Sequence, residues 1–308
     1  MDRLIRIGSR DSNLALWQAK FIENLLKQQG INTEIILVKS EGDIDLVSPL
    51  YEMGVQGIFT KTLDSALLSN KIDIAVHSLK DVPTQLPTNL KIAAVPQRVN
   101  VKDMLVYQDP TFKISEIAGI TIATSSLRRK AQWLNRYPNH TIESIRGNIN
   151  TRLEKLKNTL NWNAALFAAA GIDRIGLDVP NKMELDWMLP APAQGALAVV
   201  CREDDLQVVE LCKTLNHHET AVCTGIERSF LRSLKGGCSI PIAALAIANK
   251  NSIHFKGNIL SLDGIRKVEI EMEFKLDNCA DAGKLAAIKL LANGGDKIAE
   301  ELKSLMTE

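Results

Sequence analysis

Short apolar runs that end in polar turns, each followed by apolar residues at helical spacing, recur from the amino terminus to about Gly171. Leu4 to Ile7 leads into a helix with Leu14, Trp17, Phe21 and Leu25 on one face, which Gly30 stops. Thr33 to Val38 is followed by a long stretch, Lys39 to Gly57, with little periodicity, then by a helix from about Phe59 to Ser69. Ile72, Ile74 and Val76 form the next strand, which runs into His77-Ser78-Leu79-Lys80-Asp81-Val82-Pro83. Strands alternating with helices specify a mostly parallel sheet, whose ligands gather at the carboxyl ends of the strands. The segment most exposed to that rule is Lys80-Asp81. Neighbours in an extended backbone point to opposite sides, so a turn must aim them if both serve one site. The plainer alternative is a solvated ion pair.

Lys91 to Val95 is another strand, and Val95-Pro96-Gln97-Arg98 reads as a boundary. A second α/β series follows: Met104 to Tyr107, Thr121 to Thr124 with a helix from Ser126, Thr141 to Ser144 with a helix from Ile149, Ala164 to Ala168, and a short helix near Gly171. Pro190-Ala-Pro-Ala-Gln-Gly195 marks a second boundary. From Glu219 the texture changes to a helix ending near Leu234, strands at Ile242 to Ala248, Ser252 to Leu260 and Lys267 to Lys275, and terminal helices broken at Asn293-Gly294-Gly295. That order suggests a small α+β domain. No internal repeat is visible in the residues. The long Lys39 to Gly57 connection has the length of a lid or functional loop.

Lys and Arg total 37 against 36 Asp and Glu, so no global field recruits nucleic acid or an acidic membrane. With 5% aromatics and none arranged for stacking near the arginines, an RNA-binding module is disfavoured. No apolar run approaches the ~20 residues of a membrane-spanning helix, and the charged start, Met1-Asp2-Arg3, is unlike a signal peptide. The five cysteines lack CxxC spacing, which argues for reduced thiols in the cytoplasm and against a zinc site. His217-His218-Glu219 begins like a zinc-protease motif, but Val222 stands where its second histidine belongs, leaving a helix-capping role. Gly171 and Gly176 have P-loop spacing without the Lys-Ser/Thr pair.

Three strand-to-helix junctions break a local rule: Ser9-Arg10-Asp11-Ser12, Thr124-Ser125-Ser126-Leu127-Arg128-Arg129, and Arg146-Gly147-Asn148 followed by Arg152. Serine, threonine and asparagine cap free amides there. Arginine is disfavoured, by roughly 0.3 to 1 kcal/mol each, because the amino end of a helix is already partly positive. A single such arginine is explained equally well by pairing with a nearby acid. Repetition at ligand-facing strand ends, together with Arg174, favours a small polyanion held by guanidiniums and helix amides. Cys238 differs from the other cysteines. Cys201, Cys212 and Cys223 lie in apolar patterns, whereas Gly236-Gly237 and Ser239-Ile240-Pro241 put Cys238 on a tight turn suited to covalent attachment.

Gly8-Ser-Arg-Asp-Ser-Asn-Leu-Ala-Leu-Trp-Gln18, His77-Ser-Leu-Lys-Asp-Val-Pro83, Thr124-Ser-Ser-Leu-Arg-Arg129, Arg146-Gly-Asn148, Leu215-Asn-His-His-Glu-Thr220 and Gly236-Gly-Cys238, in this order, resemble the porphobilinogen deaminase (hydroxymethylbilane synthase) family. The resemblance implies an α/β protein of two periplasmic-binding-protein-like lobes with mixed, mostly parallel sheets, plus a small α+β C-terminal domain. It divides the chain into residues 1–96 with 196–215, residues 97–195, and residues 216–308, the first lobe being completed by a return crossing. It implies a transferase that condenses porphobilinogen stepwise onto a dipyrromethane cofactor and releases hydroxymethylbilane, acting as a cytoplasmic monomer without nucleic acid or membrane. It assigns Cys238 as the thioether anchor and Asp81 as the catalytic carboxylate. Its cofactor- and substrate-binding set falls on Arg10, Ser12, Gln18, Lys80, Thr124, Ser126, Arg128, Arg129, Arg146, Arg152 and Arg174; no metal is implied. Departures from the family pattern are Gln56 for a lysine, Thr62 for an acid, Asn13 for a proline, and Ala193 and Ala243 for glycines. The competing reading is a non-catalytic, two-lobed binding protein for a small polyanion.

Overall fold

The computed structural model describes residues 3–38, 60–115, 119–236 and 240–307. Cys238, Gln56 and the whole Lys39 to Gly57 connection lie outside these residues. Two five-stranded sheets and one three-stranded sheet organise the described residues.

The first sheet has the order β2-β1-β3-β10-β4, using β1 (Ile5–Ser9), β2 (Thr33–Leu37), β3 (Ile74–Ser78), β4 (Leu90–Ala94) and β10 (Leu197–Arg202). β1 is parallel to β2 and β3, while β10 is antiparallel to both β3 and β4. The second sheet has the order β7-β6-β8-β5-β9, from β5 (Asp103–Tyr107), β6 (Thr121–Ala123), β7 (Thr141–Glu143), β8 (Ala164–Ala168) and β9 (Lys182–Leu185). Here β6 is parallel to β7 and β8, and β5 is antiparallel to β8 and β9. The two sheets are thus one arrangement used twice, a structural repeat that the residues do not display. In each, one strand lies antiparallel to both of its neighbours, β10 in the first sheet and β5 in the second.

Helices cover both sheets. In α1 (Asn13–Lys27), Gln18, Ala19, Ile22 and Leu26 are buried, so its inner face is rotated from the expected stripe. Phe21 and Leu25 pack at the edge of the first core, and Leu14 turns instead into the core of the second lobe. α2 (Lys61–Leu68) seats Leu63, Ala66 and Leu67 on the other face of the first sheet. In the second lobe, α3 (Leu127–Arg136), α4 (Ile149–Asn158) and the short α5 (Ala169–Arg174) follow β6, β7 and β8. β9 was not anticipated; its Lys182-Met-Glu-Leu sequence is mostly exposed at a sheet edge, where burial imposes no apolar pattern.

α6 (Leu206–Lys213) returns to the first core. The final unit is a meander of β11 (Ile242–Asn249), β12 (Ser252–Leu260) and β13 (Lys267–Lys275). It is covered by α7 (His218–Ser233), α8 (Ala282–Leu290) and α9 (Asp296–Thr307) around Phe230, Phe255 and Ile259. A π-turn over Leu291–Gly295, with Gly294 at φ 99°, makes the expected break between the last helices. His217 caps α7 through Nδ1, which accepts from Thr220 N at 3.3 Å. Cys201, Cys212 and Cys223 are buried, as their apolar surroundings implied.

Candidate active site

β1, β6 and β7 deliver their carboxyl ends to the helix starts that carry the unusual arginines, β3 to the turn that carries Lys80 and Asp81, and β8 to the short α5, which ends on Arg174. Capping occurs as expected: Ser12 Oγ accepts from Ala15 N at 3.3 Å, Ser126 Oγ from Arg129 N at 3.4 Å, and Asn148 Oδ1 from Thr151 N at 3.0 Å. Thr124 Oγ1 accepts from Ser126 N, tightening the turn before α3. Each cap takes up one helix amide, and an arginine, which only donates, can take up none.

Beyond β3 the chain makes a single 3₁₀ turn, Leu79–Asp81, which is the turn needed to separate Lys80 from Asp81. Leu79 is buried beneath it, Lys80 is half-buried and Asp81 is exposed. Arg228 of α7 braces the turn from below, its guanidinium donating to Val82 O and Pro83 O at 2.7 Å each. Leu79 N donates to Ala196 O at 3.0 Å, so the returning segment holds the same turn. Burial lowers Lys80 to about 8; Asp81 and Asp103 act against that shift, and Arg128 and Arg129 add to it.

Arg128 and Arg129 do find an acid, but a buried one. Asp103, at the start of β5, accepts from Arg128 Nη1 at 2.7 Å and from Arg129 Nε at 2.9 Å, and both side chains are almost wholly enclosed. Burial alone would raise the Asp103 carboxyl. The two guanidinium charges, with hydrogen bonds from Arg128 and Gln194, outweigh it and hold that carboxyl well below the usual range. Two cations against one anion leave the cluster positive. Arg128 also donates to Leu189 O and Arg129 to Leu166 O, so neither guanidinium is free to swing.

Arg152 lies over the Phe167 ring at 5.0 Å, and its buried Nε has no partner. Burial and the nearby Arg129 bring it down to about 10, with Asp81 opposing. Arg174 donates to Gly195 O at 2.6 Å and lies over Trp17 of the first lobe at 5.7 Å; its Nε is likewise orphaned, and burial lowers it to about 10. Arg10 and Arg146 are half-buried at their junctions. Gln18 sits deeper than the rest, donating to Ser78 Oγ at 2.8 Å, so it ties α1 to β3. Electrostatic links join five residues of the predicted set, Lys80, Asp81, Arg128, Arg129 and Arg152, with Asp103 in one cluster.

Asp103 and Gln194 were missed by sequence reasoning. An aspartate opening an apolar strand and a glutamine in a Pro/Ala/Gly segment carry no local signal, since their partners arrive from distant parts of the chain.

Residues 5–210 match the family model "Porphobilinogen deaminase, dipyromethane cofactor binding domain", and residues 221–292 match "Porphobilinogen deaminase, C-terminal domain". The chain belongs to the porphobilinogen deaminase family. It is 41% identical to the porphobilinogen deaminase of Desulforamulus reducens, over 99% of each chain. Identity to that of Listeria innocua is 39%, over 99% of this chain and 100% of the relative. Among solved structures, the methionine-binding protein MetQ aligns with a TM-score of 0.45 at 12% identity, over 70% of this chain and 91% of its own. The strand order, not that distant likeness, carries the two-lobed assignment. Family membership brings a dipyrromethane cofactor, and the site suits its carboxylates: Arg152 and Arg174 keep buried N–H groups unspent, as acceptors from outside the chain require. No helix among the described residues is long and apolar enough to cross a membrane.

Proposed function

We propose that this chain condenses four molecules of porphobilinogen, one after another, onto a dipyrromethane primer attached through Cys238, with ammonia lost at each step and hydroxymethylbilane released by hydrolysis. The observation that carries the reading is one exposed carboxylate, Asp81, carried on a braced turn and coupled to Lys80 and Arg152 beside a caged arginine pair. A polyanion-binding protein without chemistry needs the cations, and a buried anion such as Asp103 to fix them, but gains nothing from an exposed one.

The roles follow from charge. Each porphobilinogen brings two carboxylates, so the lengthening chain accumulates negative charge that Arg10, Arg128, Arg129, Arg146, Arg152 and Arg174 bind, with Ser12, Thr124 and Ser126 setting the helix starts. Because Asp103 and backbone carbonyls already fix Arg128 and Arg129, the arrival of a carboxylate demands little reorganisation. When bound, the primer would supply the free pyrrole α-carbon for the first new bond, each later bond forming at the α-carbon of the ring added last. Asp81 stabilises the positive charge that spreads over the substrate ring as the amine departs, and holds the proton that must pass between leaving amine and ring. Lys80 holds a substrate carboxylate, and Gln18 positions the β3 end through Ser78.

The division into residues 1–96 with 196–215, 97–195 and 216–308 accords with the strand order, the free thiols Cys201, Cys212, Cys223 and Cys279 accord with a reducing cytoplasm, and the monomeric state is the expectation from the family. Intact mass tests the reading. The purified protein should exceed its sequence mass by two linked pyrrole units, and Cys238→Ser should match its own; an equal excess in both, or none in either, overturns it.

A further inference from the structure

Gln194 lies in the segment that returns the chain from the second lobe to the first, and is 1% exposed. Its amide reaches two separate parts of the chain, Val101 to Asp103 and Lys80. Nε2 donates to Asp103 Oδ1 at 3.0 Å, and also to Val101 O at 2.8 Å and Lys102 O at 3.3 Å in the outgoing crossing. Oε1 accepts from Lys80 Nζ at 3.4 Å. The backbone that presents this side chain is itself constrained, because Ala193 and Gly195 on either side adopt φ of 63° and 84°. A Cβ at Gly195 would lie 2.7 Å from Val99 O, so the two crossings touch there. A left-handed alanine is an unfavourable conformation, and strained backbone of this kind persists where surrounding contacts over-determine it. With both ends of its amide engaged, Gln194 has one orientation available.

We infer that Gln194 is a positioning residue for the condensation: it aims the Lys80 ammonium and ties the active-site turn of the first lobe to the Asp103–arginine cluster of the second. The inference rests on the role of Lys80 proposed above. An amide is suited to this because it is neutral. It accepts from the ammonium without cancelling its charge, which stays available to a substrate carboxylate, whereas a carboxylate at this position would form a competing ion pair. Lys80 faces Asp81 on its own turn, Arg128 and Arg129 of α3, and Asp103 of β5. Burial brings its pKa down to about 8, inside the range accessible to assay.

The test uses the cofactor-loaded enzyme. Gln194→Met keeps the length of the side chain and removes both hydrogen-bonding ends. It should still carry the two-pyrrole mass, lose about tenfold in kcat/KM, and show its alkaline limb moved to lower pH, since the charged form of Lys80 has lost an acceptor. In a Lys80→Met background the same substitution should have little further effect. Gln194→Glu should move the limb the other way and raise KM, because the new anion holds the proton on Lys80 while occupying it. That variant carries the test if Gln194→Met folds poorly, since opposite shifts of the limb are not produced by loss of stability. An unmoved limb, or the same fold-loss with and without Lys80, overturns the inference. Failure of the wild-type enzyme to consume porphobilinogen would instead overturn the reading beneath it.

Discussion

Asp103 decides what the arginine pair can do. Its carboxylate engages Arg128 and Arg129 in a region from which water is excluded, and removing one partner of a buried pair typically costs about 3–5 kcal/mol, because the charge left behind stays unsolvated. Arg128→Leu or Arg129→Leu should therefore do two things at once: lower the midpoint of chemical denaturation, and leave a fraction of the protein without the two-pyrrole mass. A fully loaded variant of unchanged stability would show that the pair is neither caged nor a carboxylate clamp. Asp81→Asn should behave differently, since Asp81 is exposed and keeps its shape as an amide. The cofactor mass should be retained while turnover falls about 10²-fold or more, which single-turnover measurement with porphobilinogen would read. The arginines were legible in the sequence because they stand where helix electrostatics disfavour them. Asp103 and Gln194 were not, because what defines them is a partner brought in by the fold, from α3 in one case and from the β3 turn in the other.

At the scale of elements, strand-helix alternation was enough to foresee both α/β series except β9, because the inner strands β3, β5 and β8 are largely apolar runs buried on both faces. It could not show that β10 belongs to the first sheet, since a strand entered from the far side of a domain boundary looks like any other apolar run. The crossings that make this possible meet where Gly195 packs against the Val99 and Asn100 carbonyls. Gly195→Ala places a methyl group against backbone that cannot yield, at a φ of 84° that only glycine adopts cheaply. A loss of roughly 1–3 kcal/mol is expected, measured by urea denaturation. Ala193 explains a departure from the family pattern in the same terms: its φ of 63° is where glycine would be relaxed, and Ala193 N is held by a 2.6 Å hydrogen bond to Glu227 Oε2. Ala193→Gly should accordingly be tolerated or mildly stabilising.

At the scale of the whole molecule, Glu227 of α7 joins the third unit to both crossings. Its carboxylate accepts from Arg98 Nη1 at 2.8 Å in the outgoing crossing, from Ala193 N in the returning one, and from Ala246 N at 2.8 Å in β11, while Arg98 also donates to Ala246 O. Glu227 is fully buried, and burial pushes its carboxyl up despite the opposing pull of Arg98. Arg98→Leu would leave that carboxylate enclosed without a cation, at an expected cost of about 3–5 kcal/mol at neutral pH. The pH dependence separates this from a simple packing defect. Glu227 in the variant should bind a proton well above the unfolded glutamate value of about 4.3, and once protonated it needs no cation. The stability gap between wild type and variant should therefore narrow as pH falls through the range where Glu227 takes up its proton. Asp73 and Asp103 run the other way: both are held below the ordinary carboxylate range, so their contribution is present above about pH 4 and is lost in acid, equally in both proteins. Calorimetry across pH 4.5 to 8, a window chosen to keep those two charged (roughly, from the unfolded value of about 3.9), should show the gap closing on the acid side. If it stays constant, Arg98 acts through packing rather than through the charge of Glu227.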